Sequence, residues 1–272
     1  MQILVKNSKM EGYDKFYVVA VQATPEGDVT TTLEGGVFSG SSLFTIFEQQ
    51  VLSWSMTENV TLTLYGEKDG VTYYGASVSA SVADLAIAKL AAYTTAGDTT
   101  AVRALVDMLN YGAAVQTAYS HNAENLPNAN LGEYADKGTT AEPEMTAEND
   151  IGEAGSVKVY LNSISMKSKV ELQLMVKTSA LETAEAKATL NGEKVDVVYN
   201  AMNETYTVIK VAVGAANMRD TYTIALYDAN GNAVTAVYNV SVEGYAKAQL
   251  GGTYNDVVIA MMRYGDSVAA IG

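Results

Sequence analysis

Alternating hydrophobic and polar positions mark much of the chain as β-strand. Residues 60–65 alternate hydrophobic residues with threonines, which places the two sets on opposite faces of a strand. Residues 16–21 are β-branched and aromatic, as in a buried strand. Asp69-Gly70, Asn191-Gly192 and Asn230-Gly231 predict hairpins, because Asp-Gly and Asn-Gly adopt the positive φ angles that type I′ turns require.

Helical periodicity replaces this alternation near the end of each β-rich stretch. Residues 83–90 predict a short helix, and residues 100–119 predict a longer one that is apolar over most of its circumference. Tyr111-Gly112 lies inside the longer helix, and Tyr264-Gly265 lies in a similar one. Because glycine costs about 1 kcal/mol relative to alanine inside a helix, we expect both glycines to permit close approach of helix to sheet, with each tyrosine wedged beside it.

Four sequence blocks occur twice in the same order. Residues 56–65 match 218–227, 78–82 match 238–242, 84–90 match 244–250, and 108–112 match 261–265. The chain is therefore a tandem duplication, with a first copy at 1–122, a linker at 123–154 and a second copy at 155–272. We expect a mainly β (α+β) fold of two antiparallel β-sandwich-like units, each closed by C-terminal helices. The linker is expected to pack near Leu126 and Leu131 and to be looser in its acidic second part.

Composition narrows the functional classes. With 272 residues, 48% hydrophobic and 18% charged, the chain suits two globular domains. The net charge of −14 disfavours nucleic acid and anionic membrane surfaces as partners, and no apolar run predicts membrane insertion. The absence of cysteine excludes disulfides and thiolate chemistry and suits a cytosolic or an exported Gram-positive protein. We interpret the chain as a monomeric piece of a longer protein.

Candidate catalytic chemistry is sparse. The single histidine, His121, directly follows the long helix, where its charged form would interact with the helix dipole. Carboxylate pairs of the kind glycosidases use are not excluded by composition. The loop that begins at Asp228 suggests calcium only weakly, because the bidentate glutamate of such loops is missing. We expect no enzyme activity, no catalytic residues, no cofactor and no metal site.

Aromatic residues give the best candidates for a binding site. The chain has 18 tyrosines, four phenylalanines and one tryptophan. Trp54 aligns with alanine in the second copy, and Tyr73 and Tyr74 align with Ala233 and Val234. These three aromatic residues are therefore not needed by the shared core. Tyr73 and Tyr74 should point to opposite faces of their strand, leaving one in solvent. We take Trp54, Tyr73 and Tyr74 as candidate binding residues; the alternative is that they are scattered surface aromatics.

The helical motif resembles a known type of module. Residues 108–116 (MLNYGAAVQ), Tyr119 and residues 125–131 (NLPNANL) are similar to the LLNYGAAAQ-like repeat of large secreted or surface proteins from anaerobic, gut-type Gram-positive bacteria, and residues 262–268 are a shorter counterpart. The resemblance implies an extracellular or cell wall-attached parent protein. The motif is structural and carries over no catalytic residue.

These inferences together predict a non-catalytic binding or adhesion segment with a macromolecular partner, a host protein such as immunoglobulin. Recognition would use a sheet face or a free strand edge. One alternative is a carbohydrate-binding accessory module, which predicts a flat strip of aromatic rings that includes Trp54. Another is a structural spacer without a ligand.

Overall fold

The computed structural model describes residues 1–166 and 169–271; Gly272, the last residue of the predicted second copy, lies outside them. Within the described residues, sixteen strands form four antiparallel sheets, accompanied by four α-helices. The protein is therefore mainly β with a smaller helical part, which confirms the predicted fold class at this level.

Residues 2–80 build two of the sheets. The strands of the smaller sheet, in spatial order, are β1 (Gln2–Lys6), β5 (Phe44–Glu48) and β4 (Gly36–Val37). Those of the larger sheet are β3 (Gly27–Leu33), β2 (Lys15–Thr24), β6 (Val60–Lys68) and β7 (Val71–Ala80). Buried residues of β1, β2, β5 and β6 share one core, in which Phe47 and Leu62 are the largest fully buried side chains. The predicted inward face of residues 60–65 is confirmed, since Val60 and Leu62 are buried.

The other two sheets come from residues 150–240. One has the spatial order β13 (Val198–Ala201), β14 (Tyr206–Ala212), β10 (Glu171–Lys177) and β9 (Leu161–Ser165). The other has the order β12 (Glu193–Val195), β11 (Ala184–Leu190), β15 (Tyr222–Asp228), β16 (Tyr238–Val240) and β8 (Asp150–Ile151). Their inward residues form one large core with residues of three of the helices described next.

The helices are α1 (Val82–Ala96), α2 (Thr99–Ala118), α3 (Val242–Lys247) and α4 (Asn255–Ala269). Ser81 and Ser241 cap α1 and α3, each accepting a hydrogen bond from a backbone N–H in the first turn. α2 agrees with the prediction within one residue at each end. α1 is longer than predicted because its alanine-rich sequence continues helically as far as Gly97, which ends it with a φ of 75°.

Two of the three predicted hairpin turns are confirmed. Asp69-Gly70 connects β6 to β7 and Asn191-Gly192 connects β11 to β12, with positive φ at all four residues. Asn230-Gly231 differs, because only the glycine has positive φ. The Asp228 carboxylate closes this third turn by accepting backbone hydrogen bonds from Asn230 and Asn232 at 2.9 Å, so the loop uses that carboxylate for its own turn.

The repeated sequence blocks fold into corresponding elements. The matched blocks lie on β6 and β15, on β7 and β16, at α1 and α3, and on α2 and α4. The correspondence extends to single hydrogen bonds. The N–H of Ala83 donates to the carbonyl of Met56 at 2.8 Å, and the N–H of Glu243 donates to that of Met218 at 3.0 Å.

The Tyr-Gly pairs lie where α2 and α4 pack against each other. Tyr111 and Tyr264 stack with ring centroids 6.1 Å apart and planes 15° apart. A Cβ on Gly112 would collide with the sulfur of Met56, and one on Gly265 with the sulfur of Met218. The predicted close approach therefore occurs, but to the short turn before β6 or β15 rather than to a sheet. The tyrosines stack on each other between the two helices, and Tyr111 also packs in the core of the sheets built from residues 150–240, where its hydroxyl donates to the Met166 carbonyl at 2.9 Å.

The acidic part of the predicted linker is docked, not loose. Leu131 is buried, as expected, but so is Met145 farther along. The Glu243 carboxylate accepts hydrogen bonds from the backbone N–H groups of Thr146 and Ala147 at 2.6 and 3.1 Å. β8, which also lies in the predicted linker, pairs with β16. Composition suggested looseness, but the buried Glu243 carboxylate on α3 binds backbone N–H groups of this segment and holds it.

Candidate binding surface

Strand β7 forms one edge of the larger sheet of the first copy. Within the described part of the chain its backbone pairs with β6 and with no other strand. β7 has ten residues, none of them charged and none of them proline. It is longer than the edge strands of the other three sheets and than β3 at the opposite edge. Edge strands usually carry lysine, proline or a short length as protection against strand addition, and β7 has none of these.

The side chains of β7 are exposed on both faces. Val78 lies opposite the buried Leu62, on the face that should be covered, yet it is 52% exposed. The smaller sheet covers β2 and β6, and the core that the two sheets share contains no β7 side chain. In the second copy, Tyr238 occupies the corresponding position and is only 7% exposed. β7 is therefore an edge strand without the cover that its counterpart has.

Tyr73 and Tyr74 point to opposite faces of β7, as predicted. Tyr73 pairs with Gly66 and packs edge-to-face on Tyr13, with ring centroids 5.8 Å apart. Tyr74 pairs with Tyr65 and is 79% exposed. Both candidate residues therefore belong to the exposed surface of this strand.

On the outer face, Tyr74 ends a row of three tyrosines that crosses β2, β6 and β7. Tyr17 and Tyr65 are register partners, and their parallel rings stack with centroids 5.4 Å apart. Tyr65 and Tyr74 are 6.4 Å apart with planes inclined by 49°. Sequence reasoning did not single out Tyr17 or Tyr65. Their alternation with core residues was the available signal, but the pairing of the strands was needed to place them side by side.

On the inner face, the rings beside β7 border a small cavity of about 160 Å³ that is partly open to solvent and is also lined by Lys9. Tyr13, Phe16 and Tyr73 supply aromatic walls, and Leu64 lies beside them. A β-bulge follows Tyr74, because the register shifts between the pairs formed by Thr63 and Tyr65. The bulge places Gly75, which has no side chain to fill the space, along the wall of the cavity.

Trp54, the third predicted binding residue, belongs to a different environment. It is half-buried in the turn Ser53–Ser55. Its ring stacks on His121 with centroids 4.3 Å apart and planes 21° apart, and it meets Tyr119 edge-on. The structure therefore brings Tyr73 and Tyr74 together on β7 and places Trp54 among the residues that follow α2.

His121 is buried directly after α2 and its ring contacts a buried carboxylate. Its Nε2 lies 2.7 Å from Oε1 of the buried Glu58. The other oxygen of Glu58 accepts a hydrogen bond from Gln22 Nε2 at 2.8 Å. His121 follows the C-terminus of α2, as the sequence predicts, and its imidazole has Glu58 as a partner as well. The arrangement connects the segment after α2 to strand β2.

The edge of β16, the counterpart of β7, is covered by the docked linker. Besides the β8 pairing, the Asn149 side chain accepts a hydrogen bond from the N–H of Ser241 at 2.9 Å. Arg219 lies 3.1 Å from Glu243 Oε2. Burial by itself raises the pKa of the Glu243 carboxyl, but the N–H groups of Ala147 and Thr146, together with Arg219, hold that pKa below its usual range. Glu243 is thus ionised and holds the covering segment in place.

The first copy lacks this set of residues. The repeat alignment places Ala83 at the position of Glu243, Asp84 at that of Gly244 and Thr57 at that of Arg219. A side chain at residue 244 would collide with Asn149, so an aspartate there is incompatible with the same docking. The chain uses the two corresponding edges differently.

The chemistry available at β7 is recognition by backbone groups and aromatic side chains. Among the residues described, no group of three histidine, aspartate or glutamate side chains is placed to bind a metal ion. No α-helix within residues 1–166 and 169–271 has the length and hydropathy needed to cross a bilayer. Comparison of the chain with models of known protein families and with curated protein sequences gives no match.

Proposed function

We propose that this chain is a non-catalytic binding segment that captures an extended strand of a protein partner at the edge of β7. The observation that carries the proposal is the exposure of all but the last residue of this uncharged, ten-residue edge strand. Alternate N–H and C=O groups of an edge strand face outward without a strand partner. An added strand would satisfy those groups, and its side chains would meet the tyrosines on both faces of β7.

The second copy supports this mode of recognition. Its corresponding strand, β16, takes an added strand, β8, and the residues around it are buried. The sheet edge that corresponds to β7 in the second copy therefore accepts an added strand. In the first copy the residues aligned with its anchors differ, and among the described residues β7 pairs only with β6.

A glycan partner has less support from the aromatic geometry. Sugar platforms require exposed ring faces arranged as a flat strip. Tyr17 and Tyr65 stack on each other, and His121 covers one face of Trp54. The tyrosine row therefore presents ring edges rather than a continuous flat surface, and Trp54 is not part of it.

The wider setting forms part of the same proposal. The four sheets would constitute two tandem sandwich-like units, one from residues 1–122 and one from residues 155–272, each closed by its helices. We place the parent protein outside the cell or on the cell wall, because of the resemblance of residues 108–116 and the absence of cysteine. A host protein such as immunoglobulin is the partner that we would test first.

A lysine on β7 tests the proposal. Immobilised chain is exposed to purified immunoglobulin and serum protein, and separately to a glycan array. The Val78→Lys variant adds an inward-pointing lysine to the edge, as natural edge strands do against strand addition. We expect protein retention by the unmodified chain and at least tenfold weaker retention by the variant, a loss of about 1.4 kcal/mol.

Val29→Lys is the matched control. Val29 lies on β3 at the opposite edge of the same sheet and is 52% exposed, like Val78. It should retain the partner as the unmodified chain does. Equal loss in both variants, retention of glycans only, or retention of nothing would refute the proposal, and the last outcome would favour a spacer.

A further inference from the structure

The second copy shows which part of a covering segment fills the space beside the edge. The N–H of Val157 donates to the carbonyl of Val234 at 2.8 Å, and the Val157 side chain packs against the core of the second copy. The repeat alignment places Tyr74 at the position of Val234 and Tyr73 at that of Ala233. In the first copy, Tyr73 and Tyr74 line the cavity beside β7.

We propose that this cavity is a specificity pocket for one aromatic side chain of the strand that β7 captures, a site that rests on the proposed function. The side chain would occupy the position that Val157 takes in the second copy. Strand addition gives affinity through the backbone, while pockets for alternate side chains give specificity.

The size of the pocket fits a single ring. Its volume is about 160 Å³, and Lys9 lies at its wall beside the aromatic rings; an enclosed apolar cavity of about 150 Å³ takes up benzene. Tyr73 and Tyr74, which line the pocket, stand where the sequence of the second copy has Ala233 and Val234.

The walls also favour an aromatic guest over an aliphatic one. Tyr13 meets Phe16 edge-to-face at 4.8 Å and meets Tyr73 edge-to-face at 5.8 Å. A further ring could make an additional edge-to-face contact with these side chains. Each such contact stabilises by more than its buried area alone accounts for. Gly66 is needed for these walls, because a Cβ there would collide with the Tyr13 ring.

Gly75 offers a way to fill the pocket without disturbing the strand. A Cβ on Gly75 would lie 3.7 Å from Leu64, which is ordinary van der Waals contact, and the residue has no positive φ. Gly75→Leu should therefore fold normally and occupy the cavity. Thr72→Leu is the matched control, because Thr72 precedes Tyr73 and points to the opposite face of the same strand.

The test is an NMR titration of the full chain with N-acetyl-phenylalanine amide and, separately, with N-acetyl-alanine amide. We expect saturable shifts of the Gly66 and Gly75 amides with the phenylalanine compound only. The Gly66 shift should disappear in Gly75→Leu and persist in Thr72→Leu. No saturable shift in the unmodified chain, or equal shifts in the two variants, would overturn the pocket.

The partner-retention experiment distinguishes a failure of the pocket from a failure of the proposed strand capture. If strand capture is correct and the pocket is not, the Gly75→Leu chain will retain the partner as well as the Thr72→Leu chain does. If the pocket is correct and strand capture is not, the phenylalanine compound will bind while Val78→Lys leaves partner retention unchanged. Loss of the partner in Gly75→Leu with retention in Thr72→Leu supports both.

Discussion

The corresponding sheet edges of the two repeat copies differ: one is paired and buried, and the other is exposed. β16 has only three residues, is paired on both sides and is buried at Tyr238 and Val240. β7 has ten residues, is paired only with β6 and is exposed almost throughout. The difference depends on a few residues. Glu243, Arg219 and Gly244 allow the linker to dock on the second copy. The first copy has Ala83, Thr57 and Asp84 at these positions. The two edges therefore differ although the sequence blocks that carry them correspond.

The largest expected contrast comes from truncating the two corresponding side chains. Tyr238→Ala should lower the free energy of unfolding by about 3 to 5 kcal/mol, because it removes a buried aromatic ring. Val78→Ala should change it by less than about 0.5 kcal/mol, because the valine is half in solvent. Urea unfolding followed by circular dichroism measures both values. Similar losses in the two variants would mean that β7 is covered in solution.

A smaller change in the free energy of unfolding is expected when the contacts of Glu243 with the linker are removed. Glu243→Ala leaves the N–H groups of Thr146 and Ala147 without their acceptor and should cost about 2 kcal/mol. Hydrogen exchange should quicken at Gly152, whose N–H bonds to Val237, as the edge of β16 opens. Glu148→Ala is the control, because that exposed carboxylate pairs only with Lys247 and should contribute less than about 0.5 kcal/mol. Unchanged exchange at Gly152 in Glu243→Ala would show that β8 alone holds the segment.

Acid should weaken the covered edge gradually and leave the open one unaffected. The pKa of Glu243 is lower in the folded protein than its ordinary value of 4.5. Its contribution to stability is therefore fully present above pH 4.5 and is lost as the pH falls through the lower folded value. Exchange or chemical shifts of the Thr146 and Ala147 amides, followed from about pH 6 to about pH 3, should report the release. A Glu243→Gln chain that shows the same pH dependence would assign it to another carboxyl group.

Local sequence patterns predicted many elements of this fold correctly. The alternation at residues 60–65, the turns at Asp69-Gly70 and Asn191-Gly192, and the long α2 helix follow from rules that act over a few residues. The block repeat also placed the corresponding strands and helices. The length of α1 was underestimated, because a run of alanines and small polar residues lacks a clear hydrophobic stripe at its end.

The candidate site was only partly accessible to sequence reasoning. The departure of Tyr73 and Tyr74 from the repeat identified two residues that the structure places on the exposed strand. The same criterion selected Trp54, which stacks on His121 instead. Tyr13 and Phe16 were not predicted to belong to the site, because nothing local to them indicates that they lie beside Tyr73.

The sequence by itself determined the duplication, the β-rich character and the strand alternation, because these depend on neighbours along the chain. Only the tertiary structure decided which edge of which sheet is covered. That outcome depends on long-range contacts such as Glu243 with Thr146, 97 residues apart, and on whether a Cβ at residue 244 leaves room for Asn149. At the aligned positions the first copy has Ala83 for Glu243 and Asp84 for Gly244, so these two contacts are not repeated there.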